Sequence, residues 1–244
     1  MKNLVIIPTY NEKENIRDII AAVVSLRPDF HVLIVDDNSP DGTADIVKEL
    51  QKNHPEQLHL LQRAGKLGLG TAYIEGFKYA LTNGYEFIFE MDADFSHNPN
   101  DLLALHDACA NQGFDMAIGS RYVTGVNVVN WPMGRVLMSF FASAYVRFIT
   151  GMPIQDTTAG FKCYRRKVLE AIDLDAIRFI GYAFQIEMKF LTWKHGFAIK
   201  EVPIIFTDRS KGQSKMSKGI FKEAVIGVIQ MKVNSLFRHF PGKA

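Results

Sequence analysis

Phe87-Ile88-Phe89-Glu90-Met91-Asp92-Ala93-Asp94-Phe95-Ser96-His97 decides how this chain is read. Residues 87–91 are a short, mostly apolar run, the pattern of a strand buried on both faces. The run passes straight into two carboxylates one residue apart. Acidic pairs are common, and Asp92 and Asp94 alone would read as a solvated turn. Their place at the end of a buried strand shifts the reading, because two side chains fixed there can converge on one hard cation. Mg²⁺ and Mn²⁺ take oxygen ligands and bridge protein carboxylates to phosphates. Ser96 offers a further oxygen, directly or through water. His97 could also serve as a ligand but reads more readily as a capping or surface histidine.

The same arrangement recurs outward from this stretch. Residues 4–7 form an apolar run that ends in Pro8-Thr9-Tyr10-Asn11-Glu12, and residues 32–35 one that ends in Asp36-Asp37-Asn38-Ser39-Pro40. Residues 58–61 and 116–118 are two more, the latter followed by Ser120-Arg121. Between them lie stretches of helical period at 12–26, with Ile16, Ile19, Ile20 and Val23 on one face, from Thr43, at 71–81 and from Pro99. Alternating apolar strands and helices predict an α/β fold, a mostly parallel sheet covered by helices on both faces. In such sheets ligands bind outside the carboxyl ends of the strands, where the unusual polar residues fall.

At the second of these edges, Asp37 can accept hydrogen bonds from a ribose or base while Asn38-Ser39-Pro40 makes the turn. Gly65-Lys66-Leu67-Gly68-Leu69-Gly70 fits neither the Walker nor the dinucleotide pattern. It reads as a tight loop that lets backbone approach a nucleotide, with Lys66 as a charge contact. Arg121, Arg135, Arg209, Lys211 and Lys215 form a cationic set, and residues 208–215 make a basic loop able to close over two phosphorylated substrates.

The chain's 244 residues suit one large domain, or one domain with a tail. A net charge of +2 gives no sign of a nucleic-acid partner; the positive charge is local, between Arg209 and Lys222. Cys109 and Cys163 lack metal-ligand spacing and read as reduced thiols. No segment supplies about 20 unbroken apolar residues, so no membrane-spanning helix is expected, nor a signal peptide at the start. In the second half, residues 136–149 read as a helix whose wide apolar face (Leu137, Phe141, Ala144, Phe148) opposes a polar stripe of Ser139, Ser143 and Arg147. A helix near 182–193, a strand near 199–206 and a helical end at 221–240 complete the reading.

Together these segments resemble the family-2 inverting glycosyltransferases of GT-A (Rossmann-like) fold, and more narrowly the polyprenyl-phosphate (dolichyl-phosphate) mannose synthases. The segments are 7–12, 35–43, 66–70, 91–97 and 119–122, and, more specific to a polyprenyl-phosphate acceptor, 156–162, 185–188 and 208–215. The resemblance implies a catalytic domain over residues 1–215 and a helical tail over 216–244. It implies that Pro8, Tyr10, Glu12, Val35 and Asp37 hold the nucleotide and that Asp92, Ala93 and Asp94 bind the diphosphate and metal. Arg121 and Arg135 would steer the acceptor phosphate and Arg209 would bridge the substrates, with Lys66 and Lys215 as donor contacts. Many relatives carry Gln where this chain has Ser96.

The implied reaction moves mannose from GDP-mannose to a polyprenyl phosphate; UDP-glucose or another nucleotide sugar is the alternative donor. The acceptor phosphate is already anionic, so no general base is needed. Transfer to a saccharide hydroxyl, which does need one, and a catalytically idle nucleotide-sugar binding module are the rival readings. Helix 136–149 and the C-terminal segment would lie in the membrane interface, with ordinary core packing as the alternative for helix 136–149. The resemblance places such a protein peripherally on the cytoplasmic face, with room for a membrane-anchoring partner.

Overall fold

The structure, a computed structural model, describes residues 2–208, 219–237 and 240, without the side chains of 182 and 219–224. Its first half alternates as the sequence pattern demands: β1 (Asn3–Thr9), α1 (Ile16–Val24), β2 (Phe30–Asp36), α2 (Thr43–Gln51), β3 (Leu58–Gln62), α3 (Leu69–Thr82), β4 (Phe87–Glu90), α4 (Asp101–Ala110) and β5 (Met116–Ser120). The second half holds β6 (Val128–Val129), α5 (Met133–Thr150), β7 (Lys162–Arg165), α6 (Arg166–Ala171), α7 (Tyr182–Lys194), β8 (Ile199–Pro203), β9 (Phe206–Thr207) and α8 (Gly219–Leu236). Seven strands form one sheet in the order β3-β2-β1-β4-β7-β5-β8, and β6 pairs with β9 in a separate parallel ribbon.

Alternate residues of β1 serve opposite cores. Leu4 and Ile6 join the cluster under α3, and Val5 and Ile7 the cluster under α1 and α4. Both sets are fully buried, which is why the strand reads as a continuous apolar run. Gly76 lets α3 lie close to β1, since a Cβ there would fall 2.7 Å from Ile6 Cγ2.

Four departures from the sequence reading have physical causes. The turn after Glu12, whose carbonyl accepts from the backbone N–H of Asn15 and Ile16, delays α1 to Ile16. The strand expected at 199–206 is two strands, because Pro203 carries no N–H to continue the ladder and the chain swings from the main sheet to β6. β7 is antiparallel to both β4 and β5 and has no apolar signature. Helix α5 has the two predicted faces, but the polar stripe points inward: Ser143 is 1% exposed, whereas Phe141 is 63% and Phe148 87% exposed. Helix α8 rests on α5 and α7, with Val228 and Met231 in the core and Tyr145 Oη donating to the Val225 carbonyl at 2.9 Å.

Glu90 and Lys162 explain β7. Both are fully buried, with Lys162 Nζ 3.0 Å from Glu90 Oε2. Tyr164 Oη donates to Glu90 Oε1 at 2.8 Å and Gln185 Nε2 to Oε2 at 2.7 Å. Beside them Lys189 Nζ donates to the carbonyls of Ala159 (2.6 Å), Thr157 (3.0 Å) and Gln185 (3.2 Å), and burial pushes its pKa well below the usual lysine value. A buried ion pair costs desolvation to form, but removing one partner strands the other charge, typically at about 3–5 kcal/mol. Glu90→Ala should therefore lower unfolding stability by about 3–5 kcal/mol in urea titration. A loss under about 1 kcal/mol would show that the Lys162 charge is not held by Glu90.

Candidate active site

The carboxyl ends of β1, β2, β4 and β5 lie on one edge of the sheet, and β7 enters from that edge through residues 156–161. Asp36 serves the framework. It is fully buried and accepts from Thr9 Oγ1 (2.9 Å), Ser39 N (2.9 Å) and Ser39 Oγ (2.6 Å), while Ser39 Oγ accepts from Asn11 N at 3.0 Å. Asn11 and Asn38 both take the left-handed conformation (φ 56° and 57°), which short polar side chains tolerate.

The residues expected to hold a nucleotide gather beside this staple. Pro8 and Val35 are register partners on adjacent strands. Lys66 Nζ stands 4.9 Å from the centre of the Tyr10 ring. Glu12 N donates to Thr43 Oγ1 at 3.1 Å, and Glu12 Oε2 accepts from Asn15 Nδ2 at 3.2 Å. Asp37 is held by Arg63, whose Nη1 donates to Asp37 Oδ1 at 2.8 Å and whose side chain is 1% exposed. Burial raises the Asp37 pKa above the usual carboxylate value, against the opposing pull of Arg63.

Arg63 was not legible in the sequence. A lone arginine between β3 and the glycine loop looks like a surface charge, yet it also donates to Thr71 Oγ1 and lies 3.1 Å from Glu75 Oε1. It thereby ties Asp37 to the start of α3.

At the end of β4, Ala93 and Asp94 are buried and Asp92 is partly exposed. Phe95 adopts φ 58°, a left-handed conformation unusual for its residue type, and this turns Ser96 N onto Asp94 Oδ1 at 3.1 Å. Ser96 Oγ and His97 Nδ1 are buried and make no hydrogen bond to the described residues. His97 is neither a cap nor a surface residue: it is 4% exposed, stacked on Phe161 at 4.8 Å, and burial drives its pKa down to about 4. Its imidazole is therefore neutral at pH 7.

Among the described residues no group of three or more His, Cys, Asp or Glu forms a metal cage. Two carboxylates and an unsatisfied hydroxyl still fit a hard divalent ion of the Mg²⁺ or Mn²⁺ type, which commonly keeps only one or two protein carboxylates and completes its shell with water and substrate phosphates.

Asp92 and His97 share one cavity of about 880 Å³ with Arg121, Arg135 and Ser139. Apolar side chains of α5, α7 and α8, among them Met138, Phe141, Val146, Ile186 and Val228, complete its lining. The two arginines are held very differently. Arg121 donates through Nε (2.7 Å) and Nη2 (2.6 Å) to both oxygens of Asp156, which is fully buried, and through Nη2 to Thr158 Oγ1 (2.8 Å). Burial alone would raise the Asp156 pKa, but the Arg121 guanidinium holds it below the usual carboxylate value. Glu201 fixes this pair from behind by accepting from Ser120 Oγ (2.7 Å) and Asp156 N (2.9 Å).

Arg135 lies over the Trp131 ring at 4.2 Å and donates to Asp208 Oδ1 at 2.9 Å, in a pair about one-third exposed on each side. Exposed pairs are worth about 0.2–1 kcal/mol, far less than it costs to break a buried one.

Strand β9 carries the chain to the acidic motif. Thr207 N donates to the Ser96 carbonyl at 3.1 Å, and Asp208 N to the Val129 carbonyl at 3.0 Å. The basic segment begins directly after this contact. Arg209, Lys211 and Lys215 themselves lie outside the described residues.

Known proteins agree with this arrangement. The profile of glycosyl transferase family 2 matches residues 4–173. The polyprenol monophosphomannose synthase of Mycolicibacterium smegmatis is 48% identical over 229 residues, covering 94% of this chain and 86% of its own length. The undecaprenyl-phosphate mannosyltransferase of Micrococcus luteus is 46% identical over 228 residues, covering 93% of each. In structure, the glucosyl-3-phosphoglycerate synthase of Mycobacterium tuberculosis superposes with a TM-score of 0.69 at 14% identity, over 95% of this chain and 80% of that one. The same enzyme with Mn²⁺, UDP and glucosyl-3-phosphoglycerate gives a TM-score of 0.66 over 96% of this chain and 79% of that one. With its sheet edge, acidic motif and sequence all in accord, this chain belongs to glycosyl transferase family 2.

Proposed function

We propose that this enzyme transfers mannose from GDP-mannose to a polyprenyl phosphate, inverting the anomeric carbon. The observation that carries the reading is the shared cavity. Asp92, Arg121 and Arg135 line it together with an apolar wall, the combination that an anionic headgroup on a hydrocarbon chain requires. The names of the two bacterial relatives, a polyprenol monophosphomannose synthase and an undecaprenyl-phosphate mannosyltransferase, support the same acceptor class.

The family resemblance supports the following roles, and the place of the described residues at the sheet edge is consistent with them. Pro8, Tyr10, Glu12, Val35, Asp37 and Lys66 bind the nucleotide, with Arg63 setting the orientation of Asp37. Asp92 and Asp94, with Ala93 between them and Ser96 adjacent, would hold Mg²⁺ or Mn²⁺, which when bound neutralises the diphosphate as it leaves. Arg121, locked by Asp156, presents a fixed positive charge to the acceptor phosphate, and Arg135 with Ser139 presents a second polar edge. By the family resemblance alone, Arg209 would bridge the two substrates and Lys215 would contact the donor. A phosphate oxygen attacks the anomeric carbon in line as the bond to the diphosphate breaks. Because that oxygen is already anionic, positioning and charge stabilisation supply the catalysis.

The acceptor reaches the site from a membrane surface. No helix among the described residues is long and apolar enough to cross a bilayer. The neighbouring helices α5 and α8 instead expose Leu137, Phe141, Phe148, Ile229 and Val233, and Phe237, directly after α8, is exposed beside them. An amphipathic helix with such a face lies in the headgroup region. We place this face on the cytoplasmic leaflet, with α8 and the rest of the 216–244 tail as the membrane-facing part beside the catalytic domain; the same face offers a seat to an anchoring protein.

Asp94→Ala and Arg209→Ala should each reduce transfer of label from GDP-mannose to a C55-type polyprenyl phosphate by about 100-fold or more. Near-normal activity in both, or preferential use of UDP-glucose by the wild type, refutes the corresponding assignment. Arg63→Ala should raise the KM for the nucleotide sugar about tenfold and spare the acceptor KM; an unchanged donor KM removes Arg63 from the donor site. Phe148→Glu combined with Phe237→Glu should abolish co-flotation with phospholipid vesicles, and undiminished flotation would move the membrane contact elsewhere.

A further inference from the structure

We propose that Asp208 is an internal counter-ion that occupies Arg135 until the acceptor phosphate displaces it, and thereby sets the affinity for the acceptor. The inference rests on the reading of Arg135 as an acceptor-phosphate contact. Arg135 lines the same cavity as Asp92, and its guanidinium is oriented by the Trp131 ring 4.2 Å away. The anion it holds is the carboxylate of Asp208, at 2.9 Å.

Backbone geometry sets the position of that carboxylate. Asp208 N is bonded to the Val129 carbonyl, and the preceding residue, Thr207, is bonded to the Ser96 carbonyl beside the acidic motif. Asp208 is thus delivered to Arg135 by the β6–β9 ribbon, as a built part of the site.

The neighbouring arginine shows what a permanent pair looks like. Arg121 is bound at two nitrogens to a fully buried Asp156 that is itself braced by Glu201. Arg135 meets Asp208 through one nitrogen, Nη1 to Oδ1, and the two side chains are 32% and 29% exposed. A competing anion can reach it. A phosphate monoester carries about −1.5 to −2 charge at pH 7 and three acceptor oxygens, against one charge and two oxygens for a carboxylate. Exchange of Asp208 for the acceptor phosphate therefore favours the phosphate, but acceptor binding is weakened by the contact it must break.

If Asp208 only positioned Arg135, removing its charge would weaken acceptor binding; if it competes, removal strengthens it. Steady-state KM values for acceptor and donor, measured on the full chain, separate the two. Asp208→Asn should lower the acceptor KM about two- to five-fold, the range of a partly exposed ion pair, and leave the donor KM unchanged. Asp208→Glu, which keeps the charge, should retain the wild-type acceptor KM. Inorganic phosphate, competing with the acceptor, should inhibit Asp208→Asn at correspondingly lower concentration than the wild type. An unchanged or raised acceptor KM in Asp208→Asn overturns the proposal. Arg135→Ala tests the underlying reading separately and should raise the acceptor KM. If it does not, Arg135 is no acceptor contact and the proposal falls with that reading. In the Arg135→Ala background, Asp208→Asn should have no further effect on the acceptor KM, and a persisting effect would also overturn the proposal.

Discussion

The buried carboxylate of Glu90 anchors the architecture around it. It stands two residues before Asp92, and its two oxygens receive Lys162 from β7, Tyr164 from the same strand and Gln185 from α7. A charge this deep is tolerable only when paired and hydrogen-bonded. Satisfying it fixes the antiparallel strand between β4 and β5 and the helix behind them. With these in place, the 156–161 segment brings Asp156 to Arg121 and the end of β4 sets Asp92 in the cavity wall. The acidic motif thus inherits its position from a polar contact in the core.

Charge around the cavity is graded by burial. Asp36 and Asp156 are fully enclosed and spend their hydrogen-bonding capacity on framework partners: Thr9 and Ser39 for the first, Arg121 for the second. Asp37 is enclosed with Arg63, and Asp92 opens to the cavity. The same enclosure leaves His97 neutral and two polar atoms, Ser96 Oγ and His97 Nδ1, without partners among the described residues beside the carboxylates. Unsatisfied buried atoms are rare in stable proteins, and two of them stand next to the acidic motif.

Helix α5 links this polar interior to the exterior. Its polar stripe faces the fold and Phe140, Phe141 and Phe148 face outward, the reverse of an ordinary surface helix, while Tyr145 packs toward α8. The cavity runs along the same helix through Met138, Phe141, Ala142 and Val146.

The sequence by itself determined the alternating strand–helix order, the edge that carries the chemistry, and the residues at that edge, because short apolar runs and the turn formers that end them are local signals. It also held the two faces of α5. Only the tertiary structure decided which face points inward, since periodicity reveals that a helix is two-sided but not what covers each side. Only the tertiary structure disclosed β7, Arg63 and the pairs Arg121–Asp156 and Arg135–Asp208. Each depends on a charged residue finding its partner across at least 26 residues of chain, as Arg63 does with Asp37. Until the fold joins them, such residues look like any solvated charge.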